Sequence, residues 1–289
     1  MIPPLLQQFM ERSSLTPDKL DVLVQRDDRV VVRLHDQGGD LVVKLDVATA
    51  AFEKEVAAMR ALATVGIPVS TVVELQAGPP AVLIVTWADG VSISSTTDAA
   101  VLSQVGTILR RIHSLPAHGP WSGHPSIAEW ITNWVAIVSP WWQETGVDVR
   151  LVHALRDWLA AIRPLLGDEH GTQMLFDGRP EHFLVDTGNT LHLIDVADLQ
   201  AGDPVMDLAV LELDAPGILG DVLAGYAPTP TERDRIARLV PFYVALRALA
   251  GAEWHARKGR DIAVVERNLT VAGELVSRRC KDDKQTGRR

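Results

Sequence analysis

The sequence predicts an α+β chain of two lobes, a small antiparallel β-sheet lobe with one helix followed by a larger, mainly helical lobe. Three observations carry that prediction. Residues 21–45, DVLVQRDDRVVVRLHDQGGDLVVKL, alternate short β-branched runs with Asp-Asp and Gln-Gly-Gly-Asp punctuators, the pattern of hairpins. From about Thr49 the apolar period lengthens to three or four residues. After Ala88-Asp89-Gly90 the remaining periodicity is mostly helical.

In order along the chain, Phe52, Val56, Met59, Leu62 and Ala63 recur at helical spacing and stop before Gly66 and Pro68, giving one helix. Val69–Leu75 and Ala81–Thr86 read as two further strands, with Gly-Pro-Pro at 78–80 as their turn. A helix from about Asp98 to Ser114 sets Leu102, Val105, Leu109 and Ile112 on one face. Six of the eight tryptophans fall between Trp121 and Trp158: these two and Trp130, Trp134, Trp141 and Trp142. Aromatic side chains this dense either pack helices together or wall a cavity. Further helices are predicted at about 150–163, 206–224, 231–256 and 261–278. Phe183–Val185 and Leu191–Ile194 read as a short hairpin across Asp186-Thr187-Gly188-Asn189. The predicted boundaries are 1–87 for the β-rich lobe, 88–278 for the helical lobe and 279–289 for a disordered tail.

Composition narrows the function. With 28 basic and 37 acidic side chains the net charge is −9, which offers no general attraction for nucleic acid and is compatible with a cationic small substrate. One cysteine, Cys280, rules out a disulfide framework within the chain. No apolar run approaches the roughly 20 residues that span a bilayer, and the N-terminus has no basic leader. These features predict a cytoplasmic protein with no membrane or nucleic-acid partner and no evident obligate protein partner.

The chemistry concentrates in residues 174–209, MLFDGRPEHFLVDTGNTLHLIDVADLQAGDPVMDLA. Asp177 lies in a loop with Gly178 and Pro180. Asp195 ends the second apolar run. A hairpin returning through 186–190 makes His182 and Asp195 spatial neighbours, with Asp177 on the adjoining loop. A carboxylate and an imidazole can share a divalent cation, although an imidazole is softer than Mg²⁺ prefers. The same residues also read as ordinary turn carboxylates and a helix cap.

This pattern resembles the aminoglycoside phosphotransferase family, protein-kinase-like enzymes that phosphorylate hydroxyl groups of small molecules. The family pattern is a His-Gly-Asp loop with an Asn five residues after the Asp, a hairpin, Ile-Asp, then Gly-Asp-Pro and Asp-Leu-Ala. Here Leu175-Phe176-Asp177 and His182 are followed by Ile194-Asp195, Gly202-Asp203-Pro204 and Asp207-Leu208-Ala209. The resemblance covers about residues 20–260 and implies the protein-kinase-like two-lobed fold, with ATP and Mg²⁺ as cofactors and a small hydroxylated substrate as partner. It implies that Asp177 accepts or orients the acceptor proton, that Asp195 with His182 holds the metal, and that Asp207 keeps the catalytic loop in shape. Asp203 would fix a turn.

By the same resemblance, Lys44 in Leu41-Val42-Val43-Lys44-Leu45 would grip the α and β phosphates. Glu55 rather than Glu53 would pair with it, since Phe52, Val56 and Met59 turn that stripe inward. The backbone of Ile84-Val85-Thr86-Trp87, notably Val85 and Trp87, would meet the adenine edge. Asp198, Glu212 and Trp254 are candidate acceptor-wall residues, with Asp214, Tyr226 and Glu253 beside them. Leu175, Phe176 and His182 depart from the family pattern, and they leave open a kinase-fold binding protein without turnover. A metal-assisted hydrolase using Asp177, His182 and Asp195 is a third reading.

Overall fold

The computed structural model describes residues 3–13, 19–26, 28–116, 126–144, 147–166, 171–258 and 261–285. The chain forms two compact units, Met1–Ile93 with Glu181–Leu199, and Ser94–Pro180 with Gln200–Arg289.

The first unit opens with helix α1 (Pro4–Ser13), a helix the sequence reading did not predict, followed by β1 (Leu20–Gln25), β2 (Arg29–Leu34) and β3 (Leu41–Asp46). Helix α2 (Thr49–Thr64) precedes β4 (Val72–Gln76), β5 (Ala81–Thr86) and the short β6 (Val91–Ser92). The first five strands make one antiparallel sheet in the order β1-β2-β3-β5-β4. Period-2 alternation sends Val30, Val32, Val43 and Leu45 to one buried face, where Leu6 and Phe9 of α1 and Val82 of β5 close a small core. Helix α2 buries Phe52, Val56, Met59 and Leu62. The outer strands β1 and β4 are largely exposed, as the rims of an open sheet are.

The second unit begins with α3 (Ala99–His113), α4 (Ile127–Glu144), α5 (Val149–Leu166) and strand β7 (Thr172–Met174). Asp98 caps α3, its side chain accepting from the Ala100 N–H at 2.8 Å. The chain then returns to the first unit through a single 3-10 turn (Pro180–His182), β8 (Phe183–Val185) and β9 (Leu191–Leu193). The sequence boundaries kept this hairpin with the helical lobe, but its bonds lie with the first unit. β8 pairs with β6, and the Leu193 N–H donates to the Pro68 carbonyl at 2.8 Å.

Back in the second unit, β10 (Gln200–Gly202) pairs with β7, and α6 (Val205–Asp214), α7 (Leu219–Tyr226), α8 (Pro230–Arg257) and α9 (Ile262–Gln285) complete the chain. Helix α8 is its hub: Leu239, Phe242, Tyr243, Ala245, Leu246, Ala248 and Leu249 are buried around much of its circumference. Helices α3 and α7 cross at two glycines. A Cβ on Gly106 would lie 1.9 Å from the Val222 carbonyl oxygen, and one on Gly225 would lie 1.7 Å from that of Ser103, so only glycine permits this approach.

Two helix predictions are corrected. The single helix expected at 206–224 is α6 and α7, because Pro216 cannot continue the ladder and Gly217 turns the chain at φ 94°. The tail expected to be disordered from 279 is helical through Gln285, an extension of α9.

Helix α8 starts in a capping box: the Thr229 hydroxyl accepts from the Glu232 N–H, and the Glu232 carboxylate accepts from the Thr229 N–H at 2.8 Å. The Arg110 guanidinium of α3 donates to Glu232 at 2.7 Å, and this bond first and then the Thr229 N–H hold the Glu232 carboxyl down at about 2. The depressed carboxyl stabilises the fold above its ordinary value of 4.5, and that contribution is lost as pH falls toward 2. Both side chains are about 40% exposed, so Glu232→Gln is expected to cost about 1 kcal/mol or less at pH 7. Urea unfolding at pH 7 and at pH 3 should show the difference between variant and parent narrowing at the lower pH.

Candidate functional site

In the first unit, the alternation of β3 that buries Val43 and Leu45 turns Lys44 to the other face of the sheet. Its ammonium there meets the Glu55 carboxylate of α2 in a charge-assisted hydrogen bond. Glu55 is 2% exposed and Lys44 13%. Glu53 is exposed, because a step of two residues turns it some 200° around the helix. The second carboxylate oxygen of Glu55 is buried without a hydrogen-bond partner, so the pair has an unused acceptor.

The same unit holds the hairpin pair. Register Phe183↔Leu193 puts the next residues outward, His182 and Ile194, opposite each other, and the Ile194 N–H donates to the His182 carbonyl at 2.9 Å. Asp195 follows in the left-handed region at φ 53°, its side chain half exposed, with its Oδ2 3.9 Å from His182 Nε2. Glu181 Oε1 lies 3.9 Å from the same nitrogen. Among the described residues no group of three or more His, Cys, Asp or Glu side chains forms a complete metal cage. Mg²⁺ does not require one, since it usually takes one or two carboxylates plus substrate phosphates and waters. The half-exposed Asp195 carboxylate fits that donor set, whereas the His182 imidazole is a softer neighbour than the set calls for.

The backbone proposed for adenine is partly committed elsewhere. Val85 sits inside β5, paired with Val42 on one side and Val72 on the other. The Trp87 N–H donates to the Asp40 carbonyl at 3.0 Å. The Trp87 ring is held as a plate: its indole N–H donates to Asp89 at 2.7 Å, and the Arg33 guanidinium, paired with Asp40, lies 4.2 Å over it. Asp198 is exposed at a turn of this unit.

In the second unit, Asp177 follows β7 on a loop whose backbone is clamped. Asp207, fully buried at the start of α6, accepts from the Leu175 N–H at 2.7 Å and from the Phe176 N–H at 2.8 Å, one on each oxygen. His113 at the end of α3 brings its Nε2 to Asp207 Oδ2 at 3.0 Å, and its Nδ1 lies 3.0 Å from the Tyr226 hydroxyl. The imidazole on this carboxylate therefore comes from α3, while Leu175 packs its side chain inward at 4% exposure. Asp203 does more than fix a turn. Buried completely, it accepts from both terminal nitrogens of Arg235, from the Tyr243 hydroxyl at 2.7 Å and from the Val205 N–H at 3.1 Å, tying the start of α6 to α8.

Asp177 itself is 26% exposed. Its Oδ1 accepts from Arg179 Nε at 2.9 Å and from a terminal nitrogen of Arg247 at 3.0 Å. Arg247 projects from the apolar wall of α8 and lies 4.7 Å over the Phe176 ring. Burial pushes its guanidinium below the usual range, with the Asp177 charge opposing that shift. Phe176 adopts φ 68°, a left-handed conformation that costs an L-residue strain. Its ring lies 6.1 Å from that of Trp130 and 5.9 Å from that of Trp134, and the two indoles stack at 6.1 Å.

Sequence reasoning did not single out Arg247 or His113. Arg247 carries a signal after the fact, a lone polar residue in the apolar run VALRALAG of α8, and His113 a weaker one, following Leu102, Val105, Leu109 and Ile112 along the apolar side of α3. Among the candidate wall residues, Glu212 accepts from the Gly217 N–H at 3.2 Å and so holds the α6–α7 turn. Tyr226 is buried against His113, and Glu253 is buried and paired with Arg257. Trp254 is partly exposed with its ring 4.9 Å from His255, and Asp214 pairs with Arg267. Trp142 and Trp158 are core, Trp141 is exposed beneath Arg257, and Trp121 lies outside the described residues.

A family model described as the phosphotransferase enzyme family matches residues 22–239. Solved structures resemble the whole chain in fold. A ternary complex of a thermostable mutant of aminoglycoside phosphotransferase APH(4)-Ia with ADP and hygromycin B superposes with a TM-score of 0.74 at 14% identity, covering 94% of this chain and 97% of that one. The GDP complex of aminoglycoside 2'-phosphotransferase-IIIa gives 0.68 at 14% identity over 94% and 97% of the two chains. Macrolide 2'-phosphotransferase MphH from Brachybacterium faecium gives 0.64 at 17% identity over 92% and 96%. At such identities the likeness shows the fold. No curated protein matches the sequence.

Proposed function

This chain belongs to the phosphotransferase enzyme family and has its kinase-like fold, and from that premise we propose that it transfers the γ-phosphoryl group of ATP to a hydroxyl of a small molecule. In the reaction the acceptor oxygen forms a bond to the γ-phosphorus, the bond from that phosphorus to the β–γ bridging oxygen breaks, and ADP leaves. The acceptor proton passes to the Asp177 carboxylate and then to solvent. Lys44 neutralises phosphate charge, and Glu55 holds its ammonium in place. Asp195, with His182 beside it, would hold the Mg²⁺ that offsets charge on the phosphate oxygens. Asp207 keeps the backbone before Asp177 fixed, so that the carboxylate is positioned before the acceptor arrives. A soluble cytoplasmic enzyme with no membrane or nucleic-acid partner suits this role. No described helix is long and apolar enough to cross a membrane.

The observation that carries the reading is the buried Lys44–Glu55 pair. A bare strand lysine needs no such partner, and hydrolysis of a non-nucleotide ester would need neither residue. Crystallised fold relatives bound to ADP and to GDP support a purine nucleotide. Titration calorimetry of ATP with Mg²⁺ tests it: binding at micromolar to millimolar nucleotide is expected, and none at millimolar nucleotide would end the proposal. Lys44→Ala is expected to weaken that binding by about 10-fold or more, the loss of one charge-assisted contact. ADP release that depends on an acceptor separates turnover from a binding-only role.

A further inference from the structure

We propose that the acceptor is a hydroxylated molecule with a flat apolar face, seated on the Phe176, Trp130 and Trp134 rings next to Asp177. This rests on the phosphoryl-transfer reading and narrows its substrate class.

The aromatic cluster supports this. Phe176 is the immediate neighbour of Asp177 and occupies a left-handed backbone position where glycine would sit without strain. Its ring is tilted 56° to that of Trp130 and 57° to that of Trp134, while the indoles are within 10° of parallel. All three side chains are only partly buried, unlike Trp142 at 0% and Trp158 at 6%, which are core. Trp130 and Trp134 stand one helical turn apart on α4, so their rings share one face with Phe176. Partly exposed rings held in place on rigid elements offer a stacking surface at low entropic cost.

Tryptophan emission titrated with 4-nitrophenyl β-D-glucoside, with D-glucose and hygromycin B as comparisons, tests the proposal, with ADP release measured on the same three compounds. A saturable quench by the nitrophenyl sugar is expected, with turnover about 10-fold above that of glucose, as one stacked ring contributes. Phe176→Gly removes one ring and relieves the backbone, so it should fold. Phe176→Gly and Trp134→Leu are each expected to weaken the quench by about 10-fold, whereas Trp141→Phe leaves it intact. Absence of a saturable quench, a quench unmoved by both variants, or preferred turnover of hygromycin B would overturn the inference. Mg²⁺·ATP binding by calorimetry tells the two readings apart. If it persists, only the acceptor class falls; if it is absent, the transfer reading falls as well.

Discussion

Asp177→Asn is expected to lower phosphoryl transfer by about 10²- to 10⁴-fold, the range that a positioned general base contributes. Asparagine keeps an oxygen for Arg179 and Arg247, so the loop geometry survives while the proton acceptor is lost. The variant has a second, smaller effect. Arg247 is 13% exposed and would lose its nearest counter-charge, leaving a mostly buried guanidinium in an apolar wall. A thermal melt recorded with the kinetics separates the two. A stability loss alone lowers the active fraction and leaves the rate per folded molecule unchanged, whereas loss of the base lowers kcat at unchanged nucleotide affinity. Retention of transfer within about 10-fold of the parent would remove Asp177 from the proton-accepting role.

The largest stability loss is expected at Asp207→Ala. Its carboxylate serves the Leu175 and Phe176 amides and the buried His113 ring, and its own exposure is 0%. Deleting it strands two backbone donors and an imidazole at once. Breaking a buried partnership of this kind costs about 3–5 kcal/mol. For a chain of this size that corresponds to a fall in melting temperature on the order of 10 °C. Activity of the remaining folded fraction should also drop, because the backbone before Asp177 loses the clamp that fixes it. A loss below about 1 kcal/mol would mean that water replaces the carboxylate and that the loop is held by other bonds.

These two variants probe different origins of one loop. Asp177 is oriented by side chains from α8 and from its own loop; its backbone is oriented by α6 and, through His113, by α3. Leucine at position 175 leaves this clamp in place. The carboxylate that secures the loop bonds the main chain, and an imidazole reaches it from another helix. Phe176 is less neutral. Its ring covers Arg247 and joins Trp130 and Trp134, so the bulk added next to Asp177 becomes wall surface.

The sequence by itself determined the alternation that makes the β-rich sheet, the helix spacing that turns Glu55 rather than Glu53 inward, and the hairpin that brings His182 to Asp195. Each follows from a local period, two residues for a strand, 3.6 for a helix, or a short turn between adjacent strands. Only the tertiary structure decided that Arg247 meets Asp177 across 70 residues and that His113 meets Asp207 across 94. It also decided that Gly217 divides one predicted helix in two and that the hairpin's bonds go to β6 and Pro68. No local period encodes such meetings: they depend on which helices pack together, and a buried polar group takes whichever partner that packing brings within reach.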